Sequence, residues 1–355
     1  MGRSTFAATM LGIGLFAPLA AMPGTAAADP VEDFYKGKVV QIIIATGPGA
    51  QYDFIGRAVA RHFGKYIPGN PTITPQNMVG ASGFRAANHL YTVAPKDGTV
   101  IGTFNNAVAF YQAMKQPGIQ YKAEDFSWVG AVPQDTPLVS VWYTTGVKTI
   151  EDAKQKEVIM GATGAGGNFA GHVALLNSVL GTKFRIVTGY DGGNSINLAI
   201  ERGEVQGKAN TTWAAFKTIT PEWVKDNKIV PLVQFGFTKD PELPSVPLLT
   251  ELATNDDERR MFELVCSTAA MGQPFAAPPN TPKDRLAALR TAFEKTLLDP
   301  AFRSDAAKLG QLVEMKATTG EDVTAIVKRT VETPDALAKR LQVALEVRGA
   351  KGGAE

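Results

Sequence analysis

The chain has 355 residues, of which 45% are hydrophobic and 20% are charged, and its formal net charge is +2. This composition is that of an ordinary globular protein, long enough for two domains with hydrophobic cores. The small net charge excludes a global field that would attract nucleic acid or an anionic membrane. The single cysteine, Cys266, excludes an internal disulfide, and its apolar neighbours predict a buried thiol.

The first 28 residues have the pattern of a secretory signal peptide. They carry one charge, Arg3, followed by an apolar run from Met10 to Met22, and they end in three alanines before Asp29. The alternative is a membrane anchor, which needs about 20 uninterrupted apolar residues. Prolines and a glycine interrupt this run, so we expect residues 1–28 to be removed and the mature protein to begin outside the cytoplasm.

A strand, a glycine-rich loop and a helix are predicted early in the mature sequence. Residues 42–45 are mostly apolar, residues 46–53 form the loop, and Ile55, Val59 and Phe63 then recur at helical spacing. A helix that begins after such a loop presents unpaired backbone N–H groups and the positive end of its macrodipole. This arrangement predicts an anion-binding position.

The same order returns at residues 158–180. An apolar stretch leads into a loop at residues 161–168, after which Val173 and Leu176 lie at helical spacing. Another glycine loop, residues 188–194, precedes a further helix. Two glycine-rich loops with predicted anion-binding positions in one chain predict two lobes that face one ligand.

Strands and helices alternate along both halves of the chain, which predicts in each lobe a mainly parallel sheet flanked by helices. Ligands of such sheets bind beyond the carboxyl ends of the strands. The first loop and Asn105 fall at such ends, although a turn would also explain an asparagine there. The predicted strands include residues 72–77, 100–104, 158–161, 184–188, 205–209, 229–237 and 275–277.

Residues 133–137 separate two apolar runs and predict a crossover into the second lobe. The predicted boundaries are 29–137 and 238–355 for lobe 1 and 138–237 for lobe 2. In the returning part, Thr281 is predicted to cap a helix, and two further helices are predicted from about residues 321 and 335. A chain that leaves one lobe and returns to it is typical of a hinged cleft.

Catalytic and metal sites have little support in the sequence. The three histidines lie far apart, without a cysteine or carboxylate at ligand spacing. There is no Gly-x-Ser-x-Gly motif, and the loop at residues 161–167 lacks the spacing of a dinucleotide site. His172, one helical turn after Asn168, either faces the ligand or is a capped or surface histidine. We predict no catalytic residue, no metal and no cofactor.

Short segments spread over nearly the whole mature chain carry a family resemblance. The sequence resembles the periplasmic solute-binding proteins of tripartite tricarboxylate transporters, the TctC or Bug family. The matching segments are residues 34–38, Pro48-Gly49 with Tyr52-Asp53, residues 76–78 before Gly80, 94–99, 126–130, 161–168, 243–247 and 277–279.

The resemblance implies a two-lobed Venus-flytrap fold of the type II-like periplasmic binding proteins, closing on a small di- or tricarboxylate or related organic acid. It implies a periplasmic monomer that serves membrane permease subunits and binds no nucleic acid. The implied ligand contacts are Gly49, Ala50, Gln51, Tyr52 and Asn105 in the first lobe and Thr163, Gly164, Gly166, Asn168, Phe169, Tyr190 and Gly192 in the second.

Other functions remain open at this point: an accessory protein that senses a ligand for a sensor kinase, or a secreted enzyme that uses the same cleft. Three positions also bear on the ligand. Gln51 stands where similar proteins often have glycine, and Gln206 and Asn210 stand where they often have aspartate. The loss of two acidic groups disfavours a ligand with an amino group. Asp53 is predicted to orient the first helix, because its charge would repel an anion.

Overall fold

The structure of the chain is a computed structural model, and it describes residues 1–2, 29–163, 168–307 and 318–346. Of Gln51, Ser82 and Asn168 only the backbone is described. Most of the predicted signal peptide and two predicted ligand contacts, Gly164 and Gly166, therefore lie outside the described residues. Within the described ranges, every helix is too short or too polar to cross a bilayer.

Strands and helices alternate through most of the described chain. The strands are β1 (Val39–Ile44), β2 (Thr72–Asn77), β3 (Val100–Thr103), β4 (Ser127–Val132), β5 (Pro137–Trp142), β6 (Val158–Gly161), β7 (Phe184–Val187), β8 (Gly207–Thr212), β9 (Ile229–Gln234), β10 (Gln273–Ala277) and β11 (Thr318–Thr319). The helices are α1 (Pro30–Tyr35), α2 (Gln51–Phe63), α3 (Phe84–Thr92), α4 (Val108–Ala113), α5 (Ile150–Gln155), α6 (Asn168–Leu175), α7 (Gly193–Glu201), α8 (Trp213–Ile219), α9 (Pro221–Lys225), α10 (Asp256–Ala270), α11 (Lys283–Leu298), α12 (Pro300–Ala307), α13 (Gly320–Val331) and α14 (Asp335–Leu345).

The strands form two sheets, which confirms the predicted two-lobed α/β fold. The first has the order β11-β4-β10-β3-β1-β2 and the second has the order β7-β6-β8-β5-β9. Strand β1 is parallel to β2 and β3, and β6 is parallel to β7 and β8. The remaining pairings, made by β10, β11, β5 and β9, are antiparallel.

Both sheets are mixed, but most of their described strands run in one direction, as predicted: β2, β1, β3 and β4 in the first sheet and β7, β6, β8 and β9 in the second. Consecutive β-α-β units produce the parallel pairs, because a crossover helix returns the chain to the same end of the sheet. Strands such as β5 and β10 belong to the segments that pass between the sheets, so the alternation pattern does not determine their direction.

The first sheet is covered by helices on both faces. Side chains of successive β1 residues point to opposite faces. Ile42 and Ile44 pack in one cluster with Phe63 of α2 and Phe293 of α11, whereas Ile43 packs in another with residues of α3 and α13. This burial on both faces explains the continuous apolar run in β1.

The second sheet is also packed on both faces. Residues of α6, including Val173 and Leu175, pack on one face, and residues of α7 to α9, including Ile196 and Trp223, pack on the other. Cys266 is fully buried in the α6-side cluster, which confirms the predicted buried thiol. Burial raises the pKa of this thiol to about 12, so it stays protonated.

The C-terminal part of the chain covers both sheets. Helices α11 and α13 pack on the first sheet. In contrast, Phe262 of α10 and Leu341 of α14 belong to the hydrophobic cluster of the second sheet. Residues 238–355, assigned to lobe 1 from the sequence, therefore contribute to the cores of both sheets, and the lobe boundaries stay a prediction.

Two local predictions are wrong. Thr281 does not cap a helix: α11 begins at Lys283 with Pro282 at the N-cap, and the Thr281 hydroxyl donates to the Pro278 carbonyl at 2.9 Å. The strand predicted at residues 205–209 is β8, which begins two residues later and continues to Thr212. Gln206 lies just before this strand: its side-chain oxygen accepts from the Ile159 backbone N–H, and its own backbone N–H donates to the Ile159 carbonyl.

Candidate functional site

A cavity of about 180 Å³ lies where elements of both sheets meet. It has room for about six water molecules at ~30 Å³ each, which suits a small solute. The described residues of the wall have neutral side chains and come from α2, the end of β3, the β4–β5 crossover, α6, β8, the end of β9 and α10. These residues are Tyr52, Asn105, Asn106, Gln134, Pro137, His172, Asn210, Phe235, Val265, Thr268 and Ala269.

Tyr52 joins the first turn of α2 to the rest of the cavity wall. Its hydroxyl oxygen accepts from the Asn106 backbone N–H at 3.1 Å, and its carbonyl accepts from the Gln273 amide at 2.9 Å. Burial raises the pKa of Tyr52 to about 12, despite hydrogen bonds from Asn106 and Gln134. The phenol therefore stays neutral and is held in place from several sides.

Asp53 organises the first glycine loop. Its carboxylate accepts hydrogen bonds from the Gly49 backbone N–H at 2.9 Å, from the Asn77 amide at 2.7 Å and from the Arg57 guanidinium at 2.8 Å. Burial alone would raise the pKa of Asp53, but these three donors hold it below its usual value. Asp53 thus orients the loop and α2, in agreement with its predicted role, and it already uses the Gly49 N–H.

The second-lobe loops are linked to each other and to α7. The Thr163 carbonyl accepts from the Gly189 N–H at 2.9 Å, and the Gly192 N–H donates to the Ser195 hydroxyl at 3.1 Å. Phe169 and Tyr190 pack partly buried against the cluster on the α7 face of the sheet. Of the described residues predicted to contact ligand, Tyr52 and Asn105 line the cavity, and these second-lobe residues lie outside it.

His172 is buried in the cavity wall. Its side chain is only 6% exposed, and its ring stacks on Phe235 with 4.1 Å between the ring centroids and 17° between the planes. Among the described residues, neither ring nitrogen has a hydrogen-bond partner, and Nδ1 is inaccessible to water. Burial lowers the pKa of His172 to about 4. Of the two alternatives left by the sequence, the structure thus favours a histidine that faces the cavity.

A β-bulge turns Asn210 into the cavity. In the pairing of β8 with β5, Lys208 lies opposite Ser140 and Thr211 lies opposite Leu138, so β8 has one extra residue between them. Asn210 accordingly has a left-handed backbone, with φ of 54°. Such bulges redirect side chains near functional sites.

The bulge separates the side chains of Asn210 and Lys208. Lys208 is buried on the α7 side, where it donates to the Asn197 side-chain oxygen at 2.7 Å. Burial lowers the pKa of Lys208 to about 8. Of the two positions where similar sequences often have aspartate, Gln206 serves the strand structure and only Asn210 reaches the cavity.

Sequence reasoning missed the contribution of α10. Val265, Thr268 and Ala269 belong to its last turns and line the cavity, as does Phe235 just after β9. None of these residues has a motif that marks a site. Within the described ranges, no three histidine, cysteine, aspartate or glutamate side chains come together as a metal site.

Asp135 lies between the two sheets, in the β4–β5 crossover. Burial, and then the nearby charge of Asp240 on the returning segment, raise the pKa of Asp135 to about 6. A carboxyl group whose pKa is raised by folding favours the folded state when protonated. Its contribution is therefore lost as the pH rises from about 4 to about 6, and it stays lost above that range.

We predict that Asp135→Asn raises the free energy of unfolding by about 1 kcal/mol at pH 7.5, allowing for partial screening by solvent. At pH 4.5 the gain should be much smaller, because the wild-type carboxyl group is then mostly protonated. Urea unfolding at both pH values measures this difference. The exposed Asp191→Asn serves as the control, and an equal effect of Asp135→Asn at both pH values would contradict the prediction.

No protein-family model and no curated protein sequence matches the chain. Solved structures do resemble it. A TctC solute-binding protein from Polaromonas, without ligand, is 19% identical with a TM-score of 0.67, and the alignment covers 87% of this chain and 99% of that one. MatC from Rhodopseudomonas palustris, with bound malate, is 18% identical with a TM-score of 0.53, covering 87% and 99%.

A second R. palustris protein, solved with adipate, is also 18% identical, with a TM-score of 0.53 and coverage of 87% and 97%. At these identities the likeness establishes the fold. This chain therefore has the two-lobed fold of the TctC-type periplasmic solute-binding proteins.

Proposed function

We propose that the protein is an extracytoplasmic receptor that captures a small carboxylate, a di- or tricarboxylate or a related organic acid, and delivers it to a tripartite tricarboxylate-type transporter. The observation that carries the proposal is the cavity of neutral polar side chains drawn from both sheets. Among the solved proteins of similar fold, one holds malate and another holds adipate.

The cavity wall suits an organic acid that is held without an arginine. Its described polar residues include the amides of Asn105, Asn106, Gln134 and Asn210, which donate and accept hydrogen bonds. The first turn of α2 adds backbone N–H groups and the positive end of a helix macrodipole. Neutral donors of this kind stabilise a carboxylate by hydrogen bonds rather than by ion pairing.

The described residues of the cavity wall do not support an enzymatic function. His172 is the described histidine in the cavity, and within the described chain it is hydrogen-bonded neither to a hydroxyl group nor to a carboxylate. Nucleophilic catalysis needs a nucleophile and a base within hydrogen-bond reach. A receptor, in contrast, returns its ligand unchanged.

The remaining sequence predictions belong to this proposal. They are the lobes at 29–137 with 238–355 and at 138–237, the periplasmic location after removal of residues 1–28, the monomeric state and the permease partner. The second-lobe loops, including Gly164 and Gly166, would complete the ligand contacts when the lobes close. A sensing role uses the same binding step and differs only in the partner protein.

Thermal unfolding of the refolded mature protein tests the binding function. We expect one class among di- and tricarboxylates and related organic acids to raise the midpoint by a few degrees, since a ligand at about 100 times its Kd stabilises by about 2.7 kcal/mol. Mass spectrometry of the released ligand should show an unchanged acid. The absence of a shift with every carboxylate would contradict the proposal, and a chemically altered acid would indicate an enzyme.

A further inference from the structure

Two helix ends of opposite polarity contribute residues to the cavity wall. One end includes Tyr52 in the first turn of α2, where unpaired N–H groups carry a partial positive charge. The other end includes Thr268 and Ala269 in the last turn of α10, where the helix carbonyl groups carry a partial negative charge. A ligand carboxylate is therefore stabilised at α2 and disfavoured at α10.

His172 of α6 adds a neutral hydrogen-bond donor to the cavity wall. A charged imidazolium would carry a proton on Nδ1, and this atom is buried without an acceptor. An unpaired buried N–H group is more costly than an unpaired lone pair on the same atom. We therefore assign the proton of the neutral ring to Nε2, which leaves an Nε2–H donor for the cavity.

Two other side chains of the cavity wall, Thr268 and Asn210, can also hydrogen-bond an uncharged polar group of a ligand. The Thr268 hydroxyl donates to the Val265 carbonyl at 2.8 Å, so its oxygen is left as an acceptor. The Asn210 amide, without a hydrogen-bond partner in the described chain, supplies both a donor and an acceptor. No described residue of the cavity wall is cationic, and Asp135 follows Gln134 directly.

We propose that the ligand is an acid with one carboxylate and a neutral polar group at its other end, such as an amide, hydroxyl or keto group. The carboxylate binds at the first turn of α2, and the neutral group binds to His172, Asn210 and Thr268. This inference rests on the proposed carboxylate function and narrows its ligand class. A second carboxylate at this end would lack the positive helix end that α2 provides and would interact unfavourably with the negative end of the α10 macrodipole.

Titration calorimetry with matched acids tests the inference. Succinamate and succinate have the same length and differ only in replacing one carboxylate by an amide, as do glutaramate and glutarate. At pH 7.5 we expect the refolded mature protein to bind the better amide acid at least tenfold more tightly than its diacid. An equal or higher affinity for the diacid would overturn the proposal.

Variants at His172 test its part in this discrimination. His172→Phe removes the donor and should lower the affinity for the amide acid about tenfold more than the affinity for the diacid. His172→Gln keeps a donor and should retain part of the preference. The control is His89→Gln on α3, outside the cavity, which should leave both affinities unchanged.

The outcomes separate this inference from the broader function. Equal weakening of both acids by His172→Phe and His172→Gln would overturn the role of His172. Carboxylate binding with a preference for diacids would overturn the inference and leave the receptor function intact. Binding of no carboxylate at all would instead overturn the proposed function.

Discussion

Replacing Asp53 by alanine is expected to lower the free energy of unfolding by about 3 kcal/mol and to weaken carboxylate binding at least tenfold. Asp53 is only 2% exposed and accepts hydrogen bonds from Gly49, Arg57 and Asn77. Its removal takes this acceptor from the Gly49 N–H and from the Asn77 amide, which keeps the Thr46 carbonyl, and a hydrogen bond to a charged group contributes about 1.5–3 kcal/mol. The first loop then loses the contact that fixes its shape beside the cavity.

Asp152 offers a matched control, because both aspartates occupy the third position of a helix. Asp152 accepts from the backbone of Lys148 and Thr149 at the start of α5, but it is exposed and far from the cavity. Asp152→Ala should therefore cause a much smaller loss of stability and no change in ligand affinity. Urea unfolding and calorimetry measure both effects, and similar results for the two variants would contradict the role assigned to Asp53.

The second large effect is expected for Phe235→Ala, which should lower the free energy of unfolding by about 3–5 kcal/mol. Phe235 is 1% exposed, its backbone N–H donates to the Pro137 carbonyl at 2.7 Å, and its ring stacks on His172. The substitution opens a cavity in the core of the second sheet and removes the surface that orients the imidazole. We therefore also expect a loss of the preference between amide acids and diacids.

Phe237 provides the control for this prediction. It lies two residues further along the chain and is 42% exposed, so Phe237→Ala should change the free energy of unfolding by no more than about 0.5 kcal/mol. The two variants are compared by their midpoints in urea. Equal midpoints would mean that Phe235 does not contribute the packing described for the second sheet.

Local sequence patterns predicted the strands and helices that have a clear side-chain periodicity or flanking glycines. Strand β2 has the predicted bounds, and the helices predicted after the glycine loops are present, although α2 and α7 begin within the predicted loops, at Gln51 and Gly193. These elements follow from side-chain period and glycine placement, both of which are properties of short stretches of sequence. The role of Asp53 was also accessible, because a charge at a helix start has a local consequence.

The composition of the cavity depends on contacts between distant segments. Asn210 reaches the cavity because of the bulge opposite β5, and no local pattern in β8 indicates this bulge. The last turn of α10 reaches the cavity because this helix packs on the second sheet, although the sequence assigned its segment to the first lobe. Likewise, His172 was predicted on a helix, but its stacking partner Phe235 comes from the distant segment just after β9.

A crystal structure of the protein with the acid that stabilises it most would test the central claim most directly. We predict that the acid occupies the cavity between Tyr52 and His172, with a carboxylate within hydrogen-bond distance of the first turn of α2. An acid bound at any other place, with the side chains of this cavity in contact only with water, would contradict the account.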